Sequence, residues 1–542
     1  MARRPRDRAR EGGIPSVFRP KRNHEGHVRF RPFVPRFYLT TAIDYVNSPP
    51  HLGTAYEKIT ADVIARFKRG AGYETRFLMG NDEHSLNVRR QAERQALAPL
   101  DYCAKMEDVF RGVWAKLDIS FDDFIRTTEE RHRLGVQKLL EAIRARGGIY
   151  EGTYEGWYCV SCEAFKQEKD LEDGSCPLHK AKPDWITEKN HFFRLSDYRD
   201  TLLALYREQP SFIEPETRRN ELTNVLEAGL LDLSVSRPGS GWGIPVPFDE
   251  ASVVYVWFDA LMNYLSATGY GTDEEGWDER WPADLHIVGK DITRFHAVIW
   301  PAMLMAAGVA IPRQVFGHGF VNFQGEKMSK SLGTAVDPLE AADHFGPDPL
   351  RLFLVREIQY GQDGDFSWAR FEARYDADLA NSLGNLVSRI TSMAGRYREG
   401  RLTASARSGL PAVAAQAASD YRAAMEELRL HDGAAAAFRI VGAVNEFLTE
   451  RAPWSLAKDP DAGKALDEAL YEAAEATRIA TVLLHPVMPQ STLRILERVG
   501  GTNGDPIRFD DDAAFQGSRA LETRTGEPLW PRLSGGRSAG RA

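Results

Sequence analysis

Cysteine is scarce: four residues in 542, namely Cys103, Cys159, Cys162 and Cys176. No secretory signal is visible, so the cysteines are not expected to pair as disulfides. No uninterrupted apolar run reaches the roughly 20 residues that span a bilayer, which excludes a transmembrane helix. A basic excess is also missing, since the net charge is −8. Residues 1–36 hold eleven Lys or Arg against three acidic residues, a net of +8, so the remainder is near −16. Any polyanion site on the body must therefore be a local patch. Hydrophobic content of 43% and charged content of 27% are those of a soluble globular protein. The length exceeds what one core can fill, which implies three or four domains.

Residues 1–35 are rich in Arg, Pro and Gly and show no apolar period, so they read as a disordered basic arm. A solvated tail, an organellar presequence weakened by Asp7, Glu11 and Glu25, and an arm touching RNA phosphates all fit that composition. Phe37 to Thr41 reads as a buried strand. Ala55, Ile59, Val63 and Phe67 mark a helix by their period, and Phe77-Leu78-Met79 reads as a second strand ending in Gly80-Asn81-Asp82. Strand, loop, helix, strand is the pattern of a doubly wound α/β domain. After Gly147-Gly148 the chain turns to aromatics, turns and cysteine. Val253 to Val256 and Leu285 to Val288 then resume buried parallel-type strands. The fold class expected is a split Rossmann-like parallel sheet, its halves at 36–147 and 251–335, interrupted by an insert at 148–250. Residues 336–366 form a linker. Residues 367–500 read as an all-α bundle, with helices at 372–398, about 412–430 up to a break at His431-Asp432-Gly433, 434–450 and 464–484. Residues 501–542 read as a weakly patterned tail.

His51-Leu52-Gly53-Thr54 stands between the first strand and its helix. Backbone N–H groups at such a junction bind phosphate, and Gly53 lets a nucleotide come close. By itself the tetrapeptide also reads as an ordinary helix-start loop. Lys327-Met328-Ser329-Lys330-Ser331 follows Gly325 in a loop. Two lysines and two hydroxyls within five residues suit a clamp on a triphosphate. Cys159-x2-Cys162-x13-Cys176-x2-His179 has the spacing of a zinc knuckle with no open ligand position, so it reads as one structural Zn²⁺. Cys103 stands apart and reads as a packing residue.

The two phosphate motifs, in this order and around a cysteine-histidine insert, resemble the signatures of class I aminoacyl-tRNA synthetases, most closely the methionyl enzymes with a single zinc knuckle. The resemblance covers about residues 36–500. It implies a soluble, cytoplasmic ligase that joins L-methionine to tRNA(Met) at the expense of ATP, with Mg²⁺ accompanying the nucleotide. It places His51, Gly53, Thr54, Gly289, Asp291, Lys327, Met328, Ser329 and Lys330 on ATP, and gives the catalytic donors as His51, Thr54, Lys327 and Lys330. For methionine it implies Ala42, Ile43, Tyr45, Asp82, Arg237, Trp257, Ala260, Leu261, Tyr264, Ile292 and His296. Asp82 would hold the ammonium group, with Arg237 as its partner. An aromatic and aliphatic wall suits a thioether side chain. Read from spacing alone, Trp257, Ala260, Leu261 and Tyr264 share one helix face, as do Ile292 and His296, which plain core packing would also explain. The resemblance further implies that residues 336–366 contact the tRNA stem and that Asn385, Arg389 and Trp454 read the anticodon CAU.

Two residues differ from the family pattern. Thr54 stands where the first motif commonly ends in histidine, and Ser85 stands where glycine usually follows Asp82-Glu83-His84. The chain has no appended β-barrel after the bundle, which favours a monomer. Two other functions compete: a class I synthetase for another amino acid, and a catalytically silent paralogue that only binds RNA.

Overall fold

The computed structural model describes residues 19–22, 28–31 and 34–532, apart from 160–163, 167, 169–170, 178–179, 240, 329–334, 404–407, 502–506 and 518. Seven strands form one sheet in which every pairing is parallel. From one edge the order is Ile213–Glu214, Val315–His318, Leu285–Gly289, Arg36–Thr41 and Glu74–Asp82. Glu74–Asp82 then pairs with Asp123–Arg126, and Asp44–Tyr45 resumes its pairing where the first strand leaves off. The central strands bury both faces, as their near-continuous apolar runs require. The chain leaves Arg36–Thr41 through the helix Leu52–Gly70 to one neighbour, and returns from the insert to Leu285–Gly289 on the other side. The strand order reverses between these two, which opens a crevice at their carboxyl ends.

The expected insert is an antiparallel sheet built on the long pair Ile149–Cys159 and Asp184–Phe193, with Ala164–Lys166 and Leu233–Ser234 at its edges. It also returns the short strand Ile213–Glu214 to the edge of the parallel sheet. Val253-Val254 departs from the parallel expectation. It ends Asp249–Val254, which pairs antiparallel with Ser236–Pro238 and Pro245–Val246, and a helix begins at Val256. A buried apolar run does not itself distinguish the two strand types.

Residues 368–398 form a continuous helical run, with a wide π segment at Tyr375–Leu383. Then come Leu410–Glu426, Leu430–Arg451, Gly463–Leu484 and Pro489–Val499. The break falls before His431, at Glu427 to Arg429, where Leu428 takes φ 56°. His431, Asp432 and Gly433 lie in the first turn of the next helix, and Gly433 lets Met425 of the preceding helix approach to where a Cβ would stand 2.8 Å from its sulfur.

Two terminal expectations change. Within the arm, Arg19–Arg22 and Val28–Arg31 pair as an antiparallel hairpin. The tail packs back on the body: Leu521–Glu522 pairs with Arg401–Leu402, Trp530 is buried, and the Phe509 ring lies 5.6 Å from that of Phe67 and 5.8 Å from that of Tyr421. Its few apolar residues carry this contact, and sparse apolar residues leave no readable period.

Arg351 ties the bundle to the catalytic sheet. It is fully buried on the helix Pro347–Glu357. Its guanidinium donates to Asp62 Oδ2 at 2.7 Å, to the carbonyls of Val487 and Pro486 at 2.8 and 2.9 Å, and to that of Leu117 at 3.2 Å. A buried charge is tolerated when paired and bonded in this way.

Candidate functional site

A cavity of about 270 Å³ opens at the carboxyl ends of the central strands. Most residues expected to touch small substrates meet there. Ala42, Ile43 and Tyr45 enter from the loop after the first strand, and Asp82 from the end of the second. Trp257, Ala260, Leu261 and Tyr264 line it from the two short helices Val256–Leu261 and Asn263–Ser266. Gly289, Asp291, Ile292 and His296 come from the other side of the crevice, and Gly53, Thr54 and Met328 complete the set.

The apolar half is built from stacked aromatics. Trp257 stacks on Phe295 at 4.2 Å and takes the edge of Tyr45 at 5.8 Å. His296 sits in the π turn Phe295–Ile299. Its Nδ1 lies 3.0 Å from the Ile292 carbonyl, which only accepts, so Nδ1 carries the proton. Nε2, 2.6 Å from the Tyr264 hydroxyl, must then accept. Burial lowers the His296 pKa to about 4, in keeping with this neutral tautomer. The aromatic side of the cavity is therefore uncharged.

The polar half begins at the helix Leu52–Gly70. His51 caps it, with Nδ1 accepting from the Thr54 N–H at 3.2 Å, which puts the ring proton on Nε2. Gly53 lies under that ring; a Cβ there would stand 2.9 Å from His51 Cε1. The first turn carries no acidic residue, so its N-terminal dipole faces the cavity uncompensated. Lys290 is turned away into an ion pair with Asp363 at 2.6 Å.

Some expected residues stand elsewhere. Arg237 does not line the cavity, and no ion pair among the described residues joins it to Asp82. Its guanidinium lies 4.1 Å from the Tyr255 ring and donates to Ser234 Oγ at 2.8 Å and the Ser236 carbonyl at 2.7 Å. Lys327 pairs through its backbone with Asn322. The Lys327 side chain and residues Ser329, Lys330 and Ser331 lie outside the described residues. Cys159 and Cys176 are both buried, whereas Cys162 and His179 lie outside the described residues. Asn385 and Arg389 share the helix Gly384–Arg398. Arg389 lies 5.9 Å from the Trp454 ring and 3.3 Å from Asn445 Oδ1, and Trp454 is 40% exposed. Ser85 takes φ −72° and caps Leu86–Arg94 by accepting from the N–H groups of Asn87 and Val88. The glycine usual at that place is therefore not required by the backbone here.

Sequence reasoning missed a buried ionic cluster behind and within the polar wall. The Lys58 ammonium donates to the Ala42 carbonyl at 2.6 Å, Glu57 Oε1 at 2.8 Å and Thr41 Oγ1 at 3.1 Å, and lies 3.2 Å from Asp44 Oδ2. Burial opposes the Lys58 charge, but Asp44 and Glu57 beside it hold its pKa above the ordinary lysine value. Burial likewise opposes the Glu57 charge, but Lys58 and His318 hold that carboxyl down at about 2. Burial pushes Asp44 up to about 7 despite the lysine. A second cluster joins the halves, with Asp259 bonded to His84 Nδ1 at 2.7 Å and His132 Nε2 at 2.6 Å. Charged residues inside a helical period read as solvent-facing, and only the packing of that helix under the sheet reveals otherwise.

The family described as tRNA synthetases class I (M) matches residues 37–182 and 166–391, and the anticodon binding domain of methionyl tRNA ligase matches residues 399–519. The methionine–tRNA ligase of Streptomyces coelicolor is 44% identical over 521 residues, covering 92% of this chain and 96% of its own. That of Thermotoga maritima is 43% identical over 473 residues, 86% of this chain and 75% of its own. The structure of Mycobacterium tuberculosis methionyl-tRNA synthetase in complex with methionyl-adenylate superposes with a TM-score of 0.87 at 41% identity, covering 92% of this chain and all of that one.

Proposed function

The chain belongs to the methionyl class I tRNA synthetases, and from that premise we propose how its residues divide the work. The enzyme activates L-methionine with ATP to methionyl-adenylate and transfers it to the 3′-terminal adenosine of tRNA(Met). In the first step a methionine carboxylate oxygen bonds to the α-phosphorus as the bond to the β-bridging oxygen breaks, and pyrophosphate leaves. No protein nucleophile is involved, so catalysis rests on positioning and on stabilising charge at phosphate oxygens. The tRNA's terminal ribose hydroxyl then attacks the carbonyl of the adenylate, and AMP leaves.

The observation that carries this division is the two-sided cavity, aromatic and uncharged around Trp257 and Tyr264, and open to a helix N-terminus at Gly53 and Thr54. Methionine takes the first side, its ammonium group toward Asp82. ATP takes the second, its ribose toward Asp291, with His51, Thr54, Lys327 and Lys330 as donors. Mg²⁺ is assigned to the triphosphate, whose charge it would neutralise. Asn385, Arg389 and Trp454 read the anticodon; an exposed indole with a guanidinium beside it suits stacking on unpaired bases. A structural Zn²⁺ at Cys159, Cys162, Cys176 and His179 is supported by the two described thiols, which are buried in a small sheet with little core of its own. It would brace the insert and takes no part in the chemistry. No helix among the described residues is long and apolar enough to cross a membrane. A monomer working in the cytoplasm is the simplest arrangement.

Exchange of labelled pyrophosphate into ATP, tried with each amino acid in turn, tests the assignment. Methionine alone should support it. Exchange with a different amino acid would move the chain to another specificity, and none with any would make it a silent RNA binder.

A further inference from the structure

Besides Lys327 and Lys330, which the proposed function puts on the phosphates, charge can come from the described lining of the cavity. It contains four carboxylates, on Asp44, Glu57, Asp82 and Asp291, and neither lysine nor arginine. Lys58 sits behind the wall and is fully used by its four oxygen neighbours. Thr54 stands where a histidine could have carried charge. Two imidazoles remain, and the partners of each determine its protons. His296 faces one acceptor and one hydroxyl, and is neutral. His318 is placed differently. Its Nδ1 lies 2.8 Å from the Gly319 carbonyl, and its Nε2 lies 3.0 Å from Glu57 Oε2. A carbonyl oxygen cannot donate. Nor can the Glu57 carboxylate, whose other oxygen already accepts from Lys58 at 2.8 Å. Both ring nitrogens of His318 must therefore be donors, and a ring with two N–H groups is an imidazolium.

We infer that His318 is a doubly protonated imidazole in the nucleotide half of the cavity, donating through Nε2 to Glu57 and supplying toward the phosphates of ATP the charge that Thr54 cannot carry. The groups that set it come from every side. Glu57 and the edge-on Tyr56 ring, 5.6 Å away, face it from the helix Leu52–Gly70. Lys58 stands behind Glu57, and Asp44 reaches Lys58 from the loop after the first strand. Lys58 has a second effect here. By holding Glu57 ionised it obliges Nε2 to remain a donor, so the chain Lys58–Glu57–His318 delivers alternating charge to the cavity surface. The placement toward phosphate rests on the proposed function. The protonation state does not.

Two measurements on the full chain test this. In ¹⁵N-histidine spectra, with His318 identified by its loss in His318→Asn, both ring nitrogens should be protonated at pH 7.5. In Glu57→Gln the amide can satisfy a neutral ring, and one ring nitrogen of His318 should be found without its proton at pH 7.5. In single-turnover adenylate formation at pH 7.5, Glu57→Gln should fall to near the rate of His318→Asn. His318→Asn should be slower than wild type by on the order of 10²-fold, with methionine affinity by equilibrium binding changed far less. An unprotonated nitrogen on wild-type His318 at pH 7.5, or a Glu57→Gln rate equal to that of wild type, would overturn the inference. A doubly protonated His318 in a protein that exchanges pyrophosphate with no amino acid would uphold the charge and overturn the proposed function instead.

Discussion

The Tyr264 hydroxyl donates to His296 Nε2 across 2.6 Å, at a place where neither side chain reaches solvent. That bond, with the Ile292 carbonyl on the other nitrogen, sets the tautomer of the imidazole and leaves the aromatic wall of the cavity uncharged. Replacing Tyr264 by Phe leaves a buried ring nitrogen without its donor, which costs about 1–3 kcal/mol. The expected result is a methionine KM raised at least severalfold in pyrophosphate exchange, with a smaller change in ATP KM. An unchanged methionine KM would remove the pair from the methionine site.

Acid should destabilise the protein through the same ring. The His296 pKa falls from 6.5 unfolded to about 4 folded. The unfolded state therefore binds the proton first, and stability present above pH 6.5 is lost as pH falls toward 4. His286, also buried and lowered, adds in the same direction. Denaturant unfolding between pH 7 and 4 should show a slope reduced by about one proton in His296→Asn relative to wild type.

Arg351→Met should unfold the joint between bundle and catalytic sheet. It strands the buried Asp62 carboxylate and several carbonyls, and breaking one side of such a pair costs about 3–5 kcal/mol. Thermal denaturation should fall by many degrees, and Arg351→Lys should recover part of the loss.

Gly70→Ala tests the docked tail. A Cβ there would stand 2.4 Å from Phe509 Cε2, an overpacking contact that costs about 1–3 kcal/mol. Phe509→Ala should relieve most of that cost in the double variant, giving a non-additive cycle in denaturant unfolding. Additive losses would mean the two do not touch in solution.

Metal analysis of the purified protein should find about one zinc per chain, reduced by Cys159→Ala. The same variant should make the insert more sensitive to protease while exchange activity falls much less. Protein free of zinc with an intact insert would exclude the knuckle.

Sequence alone carried the plan of the molecule a long way. The buried runs at Phe37 to Thr41 and Leu285 to Val288 are strands, and they lie side by side. The stripe Trp257, Ala260, Leu261, Tyr264 faces one cavity. It failed at Val253-Val254, because an apolar run is equally at home in an antiparallel edge. It also failed after residue 500, because a docked tail needs only Phe509, Leu521 and Trp530 and shows no period. Ser85, which stands where the family pattern has glycine, is a helix cap, and that role appears only once the helix after it is seen.

What the sequence determined by itself were the local things: the period that makes Leu52–Gly70 a helix, the glycine under His51, the turn chemistry and the alternation of buried faces. These depend on neighbours within a few residues. The charges of the site were decided only by tertiary structure. His318 and Glu57 are 261 positions apart and meet at 3.0 Å, and His296 and Tyr264 take the opposite protonation outcome from the same chemistry. An imidazole's protons follow from whether its partners donate or accept, and those partners are chosen by the folding of distant strands against one another.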